Sequence, residues 1–348
     1  MLNQATITEI CKYIDDRHTF FNFLNCCKYN QQFDYLFFDR YHICDYNFRD
    51  HAWKVIADPD YAHCLVKFLK KIRNLKSHSS FALEVIAKLS TNLSVIDISF
   101  CEQIPTLPSS LKRVTVLLNF CKFNVENIPD SVEILVLPKC ARVIEKLPNS
   151  LIHLEIENFD TSIIKNFPPN LKTLLLGTYY SDKQTINTQC IDNIPDTIEV
   201  LRMTVYSNNN KVTRWPANLK HLTISGLVNQ LLEYLPVGLK KLEIDSYFIQ
   251  PTDKLPESVD TVMYSKYSCM PHIYLPNNVK TLILKNFYNW TKFTEISDTV
   301  EVIEIIGECE IVFKKFPSSL KRLKISRNNP ILKDIKKTLD NDKIFFID

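Results

Sequence analysis

Glycine is nearly missing from this chain, at four residues in 348. That leaves no material for a phosphate-cradling loop, and neither GxGxxG nor GxxxxGK[ST] occurs. An excess of one charge is missing too. Lys and Arg number 42 against 39 Asp and Glu, a net +3, so nothing argues for nucleic acid or a membrane surface as partner. No apolar run approaches the ~18 residues of a membrane span, and no charged-then-apolar leader opens the sequence. The eleven cysteines form no CxxC pair and no zinc-ligand spacing. Cys101, Cys121 and Cys140 fall at repeat-like intervals, but they read as small buried hydrophobes in a reducing compartment rather than a thiol column. A soluble, cytoplasmic protein is expected. The eight histidines are scattered, and no HExxH or nucleophile motif appears, so no enzyme, cofactor or metal site is expected.

What the chain has instead is repetition. The stretch LPSSLKRVTV from Leu107 returns as LPNSLIHLEI from Leu147, FPPNLKTLLL from Phe167, WPANLKHLTI from Trp215, LPVGLKKLEI from Leu235 and FPSSLKRLKI from Phe316. An acidic form is interspersed: IPDSVEILVL from Ile128, IPDTIEVLRM from Ile194 and LPESVDTVMY from Leu255. LPNNVKTLIL from Leu275 and ISDTVEVIEI from Ile296 complete the set, and LSTNLSVIDI from Leu89 is a weaker first copy. The anchoring proline, replaced once by Ser297, recurs every 19 to 21 residues except for a 27-residue step from Pro168 to Pro195. A fixed period of this length means stacked units, because one unit cannot bury its own apolar side.

Let position 0 be Leu111 and its equivalents. Apolar residues fall at −4, 0, +3 and +5, and the +3/+5 alternation is the period of a strand. Identical strands at constant spacing predict a parallel ladder. About six residues of strand leave roughly fourteen for the return, too few for a helical crossover with its connections. The return is therefore expected to be extended, with 3₁₀ turns at most and proline holding it open. Position +8 is mostly aromatic (Phe159, Tyr179, Tyr206, Tyr247, Tyr267, Phe287) and is expected to be an inward stack. Acid at +1 accompanies acid after the proline, so neighbouring turns often pair Lys with Glu or Asp at +1. That pattern reads as register marking rather than ligand binding. The polar insertion within 178–190 is expected to loop outward.

Positions +2, +4 and +6 should face solvent. Apolar and charged members of this face form the candidate partner surface: Ile134, Val136, Glu155, Leu175, Arg202, Glu243, Met263 and Ile283. After the array, 330–339 reads as a short helix and 343–347 as a closing strand, together a cap over 331–348.

With these residues in place, the unit resembles the FNIP repeat, a short relative of the leucine-rich repeat. Phe123-Asn124 followed by Ile128-Pro129-Asp130-Ser131-Val132 carries the likeness, which spans about residues 89–330. Residues 1–45 differ. Leu2, Ile7, Ile10 and Ile14 share one helical face, and Phe20, Phe23, Leu24 and Cys27 another. This segment resembles an F-box, with Ile10…Tyr13-Ile14-Asp15-Asp16 and Phe20…Cys26-Cys27-Lys28 matching the family's stretches, while Asn3, Ala5 and Asn30 depart from it. The resemblance implies that Leu2, Ile10, Ile14, Phe20, Phe23, Leu24 and Cys27 dock on a Skp1-like adaptor of a cullin ubiquitin ligase. An F-box ahead of FNIP repeats is an architecture of amoebae and of their large DNA viruses, which implies a cytoplasmic, host-cytoplasmic if viral, setting. Residues 46–88 read as linker and N-terminal cap, with a helix from Asp58; Lys70–Leu75 either continues it or, as the 0/+3 spacing of Leu69 and Ile72 favours, forms a first strand.

The expected fold class is thus α+β: a small helical module, then a leucine-rich-repeat-like parallel-β solenoid with a non-helical outer side. The expected function is a non-enzymatic adaptor that holds Skp1 at one end and a target protein on the strand face. The alternative is a plain binding scaffold whose N-terminal helices only cap the solenoid.

Overall fold

A computed structural model describes residues 74–77, 92–98, 106–116, 125–137, 144–156, 164–177, 193–205, 214–226, 235–245, 255–268, 275–289, 296–313 and 315–347. The F-box-like segment 1–45, the proposed helix after Asp58 and the insertion within 178–190 lie outside these residues. The chain divides into two compact units, residues 1–139 with 144–151, and residues 140–143 with 152–348.

The first unit holds β1 (Asn74–Ser77), β2 (Val95–Ile98), β3 (Arg113–Val116) and β4 (Ile134–Leu137), each parallel to the next. The second holds β5 (His153–Ile156), β6 (Thr173–Leu176), β7 (Val200–Val205), β8 (His221–Gly226) and β9 (Lys241–Asp245). It continues with β10 (Thr261–Ser268), β11 (Thr281–Asn289), β12 (Val302–Ile306), β13 (Arg322–Ile325) and β14 (Ile344–Phe346). These too pair in parallel, in chain order. The fold is a parallel β-solenoid. Among the described residues the α-helix is a single turn, α1 (Leu332–Ile335), ahead of β14. A 3₁₀ turn at Val125–Asn127 lies on the path into β4.

The three apolar columns meet expectation. Every described residue at positions 0, +3 and +5, from Leu93, Ile96 and Ile98 to Leu320, Leu323 and Ile325, is 3% exposed or less. Each such side chain contributes about 1.5–3 kcal/mol of burial. The −4 column closes the core from the turn side, with Leu107, Ile128, Leu147, Ile194, Trp215 and Leu235 all buried. Phe167 and Phe316 there are only half-buried, and Phe316 stacks on Phe313 at 4.8 Å between centroids.

The conserved spacing of the proline has a local cause. In every unit its carbonyl accepts the N–H of position 0, from Pro108–Leu111 at 3.2 Å to Pro317–Leu320 at 3.1 Å, and Ser297 does the same for Val300. Proline gives up no needed donor here, since only its carbonyl is used. It closes the β-turn that aims the chain into the strand. From there the +1 carbonyl of one turn accepts two N–H groups of the next: Glu133 and Ile134 both donate to Lys112, at 2.8 and 3.0 Å. The same pattern recurs at Glu199 and Val200 on Lys172 and at Glu301 and Val302 on Lys280.

The Ser or Asn at −1 locks turn to turn. Ser110 Oγ donates to Leu93 O at 2.7 Å, Ser150 to Val132 O at 2.8 Å, Ser258 to Leu239 O at 2.6 Å and Ser319 to Val300 O at 2.6 Å. Thr299 and Asn278 make the same bond. Ser131 and Thr197, at the same position, keep buried hydroxyls with no partner.

Two expectations need correction. The first strand lies a little later than Lys70–Leu75: β1 spans Asn74–Ser77 and pairs Asn74 with Val95, which moves the 0/+3 positions from 69 and 72 to 72 and 75. Ile72 and Leu75 repeat the same spacing, and the ladder register selects them. The inward +8 column also shifts near the C-terminal end. Phe287 is fully buried against Tyr264 as expected, with centroids 6.3 Å apart. In the next two turns, however, Glu308 and Asn328 are exposed, and Cys309 and Asn329, one residue later, point inward. Gly307 (φ 72°) occupies the left-handed region two residues before Cys309, and this bend re-aims the chain there. Cys309 Sγ then accepts from Phe287 N at 3.3 Å, and Asn329 Nδ2 donates to Gly307 O at 2.7 Å.

Replacing Gly307 by alanine should destabilise the chain by about 1–3 kcal/mol. The backbone there is left-handed, and a Cβ would sit 1.9 Å from Asn286 Oδ1. A lowered urea midpoint checks this. Gly238 takes the −1 place with room for a side chain, its Cβ position 4.0 Å from Leu219 O. Gly238→Ser should raise the urea midpoint by supplying the missing turn-to-turn bond, about 1 kcal/mol; no gain would count against that role for the −1 hydroxyl.

Candidate functional site

Polar side chains around the turns serve the ladder. The acid after the proline accepts the N–H of the equivalent residue one turn on: Asp130 from Asn149 at 3.2 Å, Asp196 from Ala217 at 2.8 Å and Asp298 from Ser318 at 2.7 Å. These backbone donors, helped by Arg214 at Asp196, hold the carboxyls of Asp196 and Asp298 below their ordinary range. The +1 charges pair between turns as expected. Lys112 meets Glu133 at 2.6 Å, Glu199 lies between Lys172 at 3.0 Å and Lys220 at 2.6 Å, and Glu301 meets Lys321 at 2.6 Å. All are exposed enough that solvent screening leaves each with little to add to stability.

The +4 column is the candidate surface, and strand register sets its geometry. In the second unit Glu155, Leu175, Arg202, Thr223, Glu243, Met263, Ile283, Glu304 and Lys324 stand opposite one another in a single row. Six of the eight residues singled out from the sequence therefore share one line. Ile134 and Val136 lie on β4 in the first unit, Val136 opposite Thr115. The seven F-box-like residues are outside the described part. The row is less exposed than expected: its members are half-buried, and Thr115 and Thr223 are 6% exposed. Strands ~4.8 Å apart stand these side chains shoulder to shoulder, so each covers the next.

Reading the +4 column alone misses the groups beside it. Glu243, with 14% of its side chain exposed, accepts from Thr223 Oγ1 at 3.0 Å and lies 3.1 Å from His221 Nε2 and against Lys241. One step along the strands, Asp245 accepts from Ser265 at 2.8 Å and Ser225 at 3.4 Å. His221 and Lys241 are +2 residues, and Ser225, Asp245 and Ser265 are +6 residues, on the same face. Strand alternation was the signal that could have joined the three columns. Burial pushes the Glu243 carboxyl up, but hydrogen bonds from His221 and Lys241, and their charge, outweigh it and leave its pKa at about 2. So low a pKa makes Glu243 a poor general base near neutrality. Among the described residues no group of His, Cys, Asp and Glu is arranged to hold a metal ion.

No family model and no curated protein matches this chain. Among solved structures it is similar to CroV588, described as a novel circular LRR protein, with 19% identity and a TM-score of 0.49 over 81% of this chain. This chain spans about half of that protein, 51% of its length.

Glu243 gains its charge-stabilising contacts on folding, so it contributes stability that is complete above its unfolded pKa of 4.5 and is lost as pH falls through about 2. Glu243→Gln should destabilise the chain at pH 7 by about 1–3 kcal/mol. It should also flatten the acid limb of the melting temperature below pH 4.5; an unchanged acid limb would place that stability elsewhere.

Proposed function

We propose that this chain is a non-enzymatic protein-binding adaptor whose strand face holds a target protein. The observation that carries this reading is the register-locked row from Glu155 to Lys324, which presents half-exposed apolar and charged groups on a scaffold with little helix. Rigid display of this kind lowers the ordering cost of binding. Near-neutral charge favours a protein partner over nucleic acid or a membrane.

The finer reading makes it the substrate-recognition subunit of a Skp1–cullin–F-box ubiquitin ligase, acting in the cytoplasm, or the host cytoplasm if viral. Its support is the F-box-like pattern through Leu2, Ile10, Ile14, Phe20, Phe23, Leu24 and Cys27, together with the FNIP-like unit that follows. The second reading keeps the scaffold and gives residues 1–45 only a capping role. One experiment separates them. The full chain should retain purified Skp1, and Ile14→Asp with Leu24→Asp should abolish retention without moving the solenoid's melting temperature. A folded full chain that retains no Skp1 would overturn the ligase reading. A fall in melting temperature with the double variant would favour the cap.

A further inference from the structure

Within the row, charges at the β8–β13 end are consumed internally: Glu243 by Thr223, His221 and Lys241, and Glu304 by Lys324. The β5–β7 end differs. Glu155 and Arg202 make no ion pair among the described residues, and they flank Leu175 in strict register. Arg202 has an additional unmet need, since its Nε is buried with no hydrogen-bond partner. The buried Nε stays out of reach of a partner, but a carboxylate on the outer Nη groups would offset part of the cost of holding this charge half out of water. Beside Leu175, Gly177 at φ 70° brings no side chain of its own to the same face.

Spacing then selects the occupant. Glu155 and Arg202 are two strands apart, about 9.6 Å. An extended segment lying across the strands offers same-face residues about 6.7 or 13 Å apart, and neither matches. A helix offers i and i+7 about 10.5 Å apart, with i+3 or i+4 between them on the same face. We propose that the β5–β7 patch docks one amphipathic helix of the target protein. Its carboxylate pairs with Arg202, its cation with Glu155, and the apolar side chain between them rests on Leu175. The inference rests on the strand-face reading above and names the chemistry of the partner.

The test is selection of a displayed peptide library with helix-forming backgrounds against the full chain, and against Arg202→Glu and Leu175→Asp. Selected peptides should carry acid and base seven apart with an apolar residue between, and should lose at least tenfold in affinity to Arg202→Glu. On Arg202→Glu itself, selection should replace the acid by Lys or Arg. Peptides whose binding ignores Arg202 but is lost on Met263→Asp would overturn this site while leaving the strand-face reading intact. Extended motifs, or no enrichment with a chain whose melting temperature is unchanged, would overturn the helix-docking site outright.

Discussion

One constraint shapes this molecule: the strand backbone of each turn is satisfied by its neighbours. The +1 carbonyl takes two N–H groups from the next turn, and the position-0 carbonyl takes a hydroxyl or amide from the −1 residue. A turn of about twenty residues has no core of its own, so these bonds and the apolar columns must form together. Once they do, the proline carbonyl's bond to position 0 sets where each strand begins. Everything on the strand face inherits its place from that point.

Polar residues follow from the same constraint. An acid after the proline is satisfied by a backbone N–H of the following turn, and an acid at +1 by lysines above or below it. Glu199 illustrates the result: hydrogen bonds from Lys220 and then Lys172 bring its pKa to about 2, although it sits at the surface. Most charge in the array is thus internal wiring. Against that background an arginine with an unsatisfied Nε stands out chemically.

Much of this was legible beforehand because it repeats. Leu111, Val114 and Val116 recur at fixed offsets, and a column seen many times needs no structural knowledge to be read as core. The +1 pairing was legible for the same reason. What escaped were features that depend on a neighbour's backbone. Ser110 was visible as part of a motif, but its acceptor, Leu93 O, is seventeen residues earlier and leaves no side-chain signature. The shift from +8 to Cys309 goes with a left-handed residue, Gly307, and a column count assumes none. The offset of β1 arose because Leu69, Ile72 and Leu75 keep the same spacing twice. The half-buried state of the +4 row was hidden because alternation gives direction but not crowding.

At the C-terminal end, β14 is three residues long, and its Phe345 and Phe346 are 45% and 36% exposed. Arg322 lies over Phe345 at 5.7 Å, and Arg327 and Lys336 lie over Phe346 at 4.1 and 5.8 Å. No strand pairs with the far edge of β14 among the described residues. A free parallel edge is a template for aggregation, and short strands flanked by cations are the usual protection against it. Cations held over both rings blunt this edge against pairing with another strand. Raising the salt concentration would weaken the repulsion between such cations and so the protection they give.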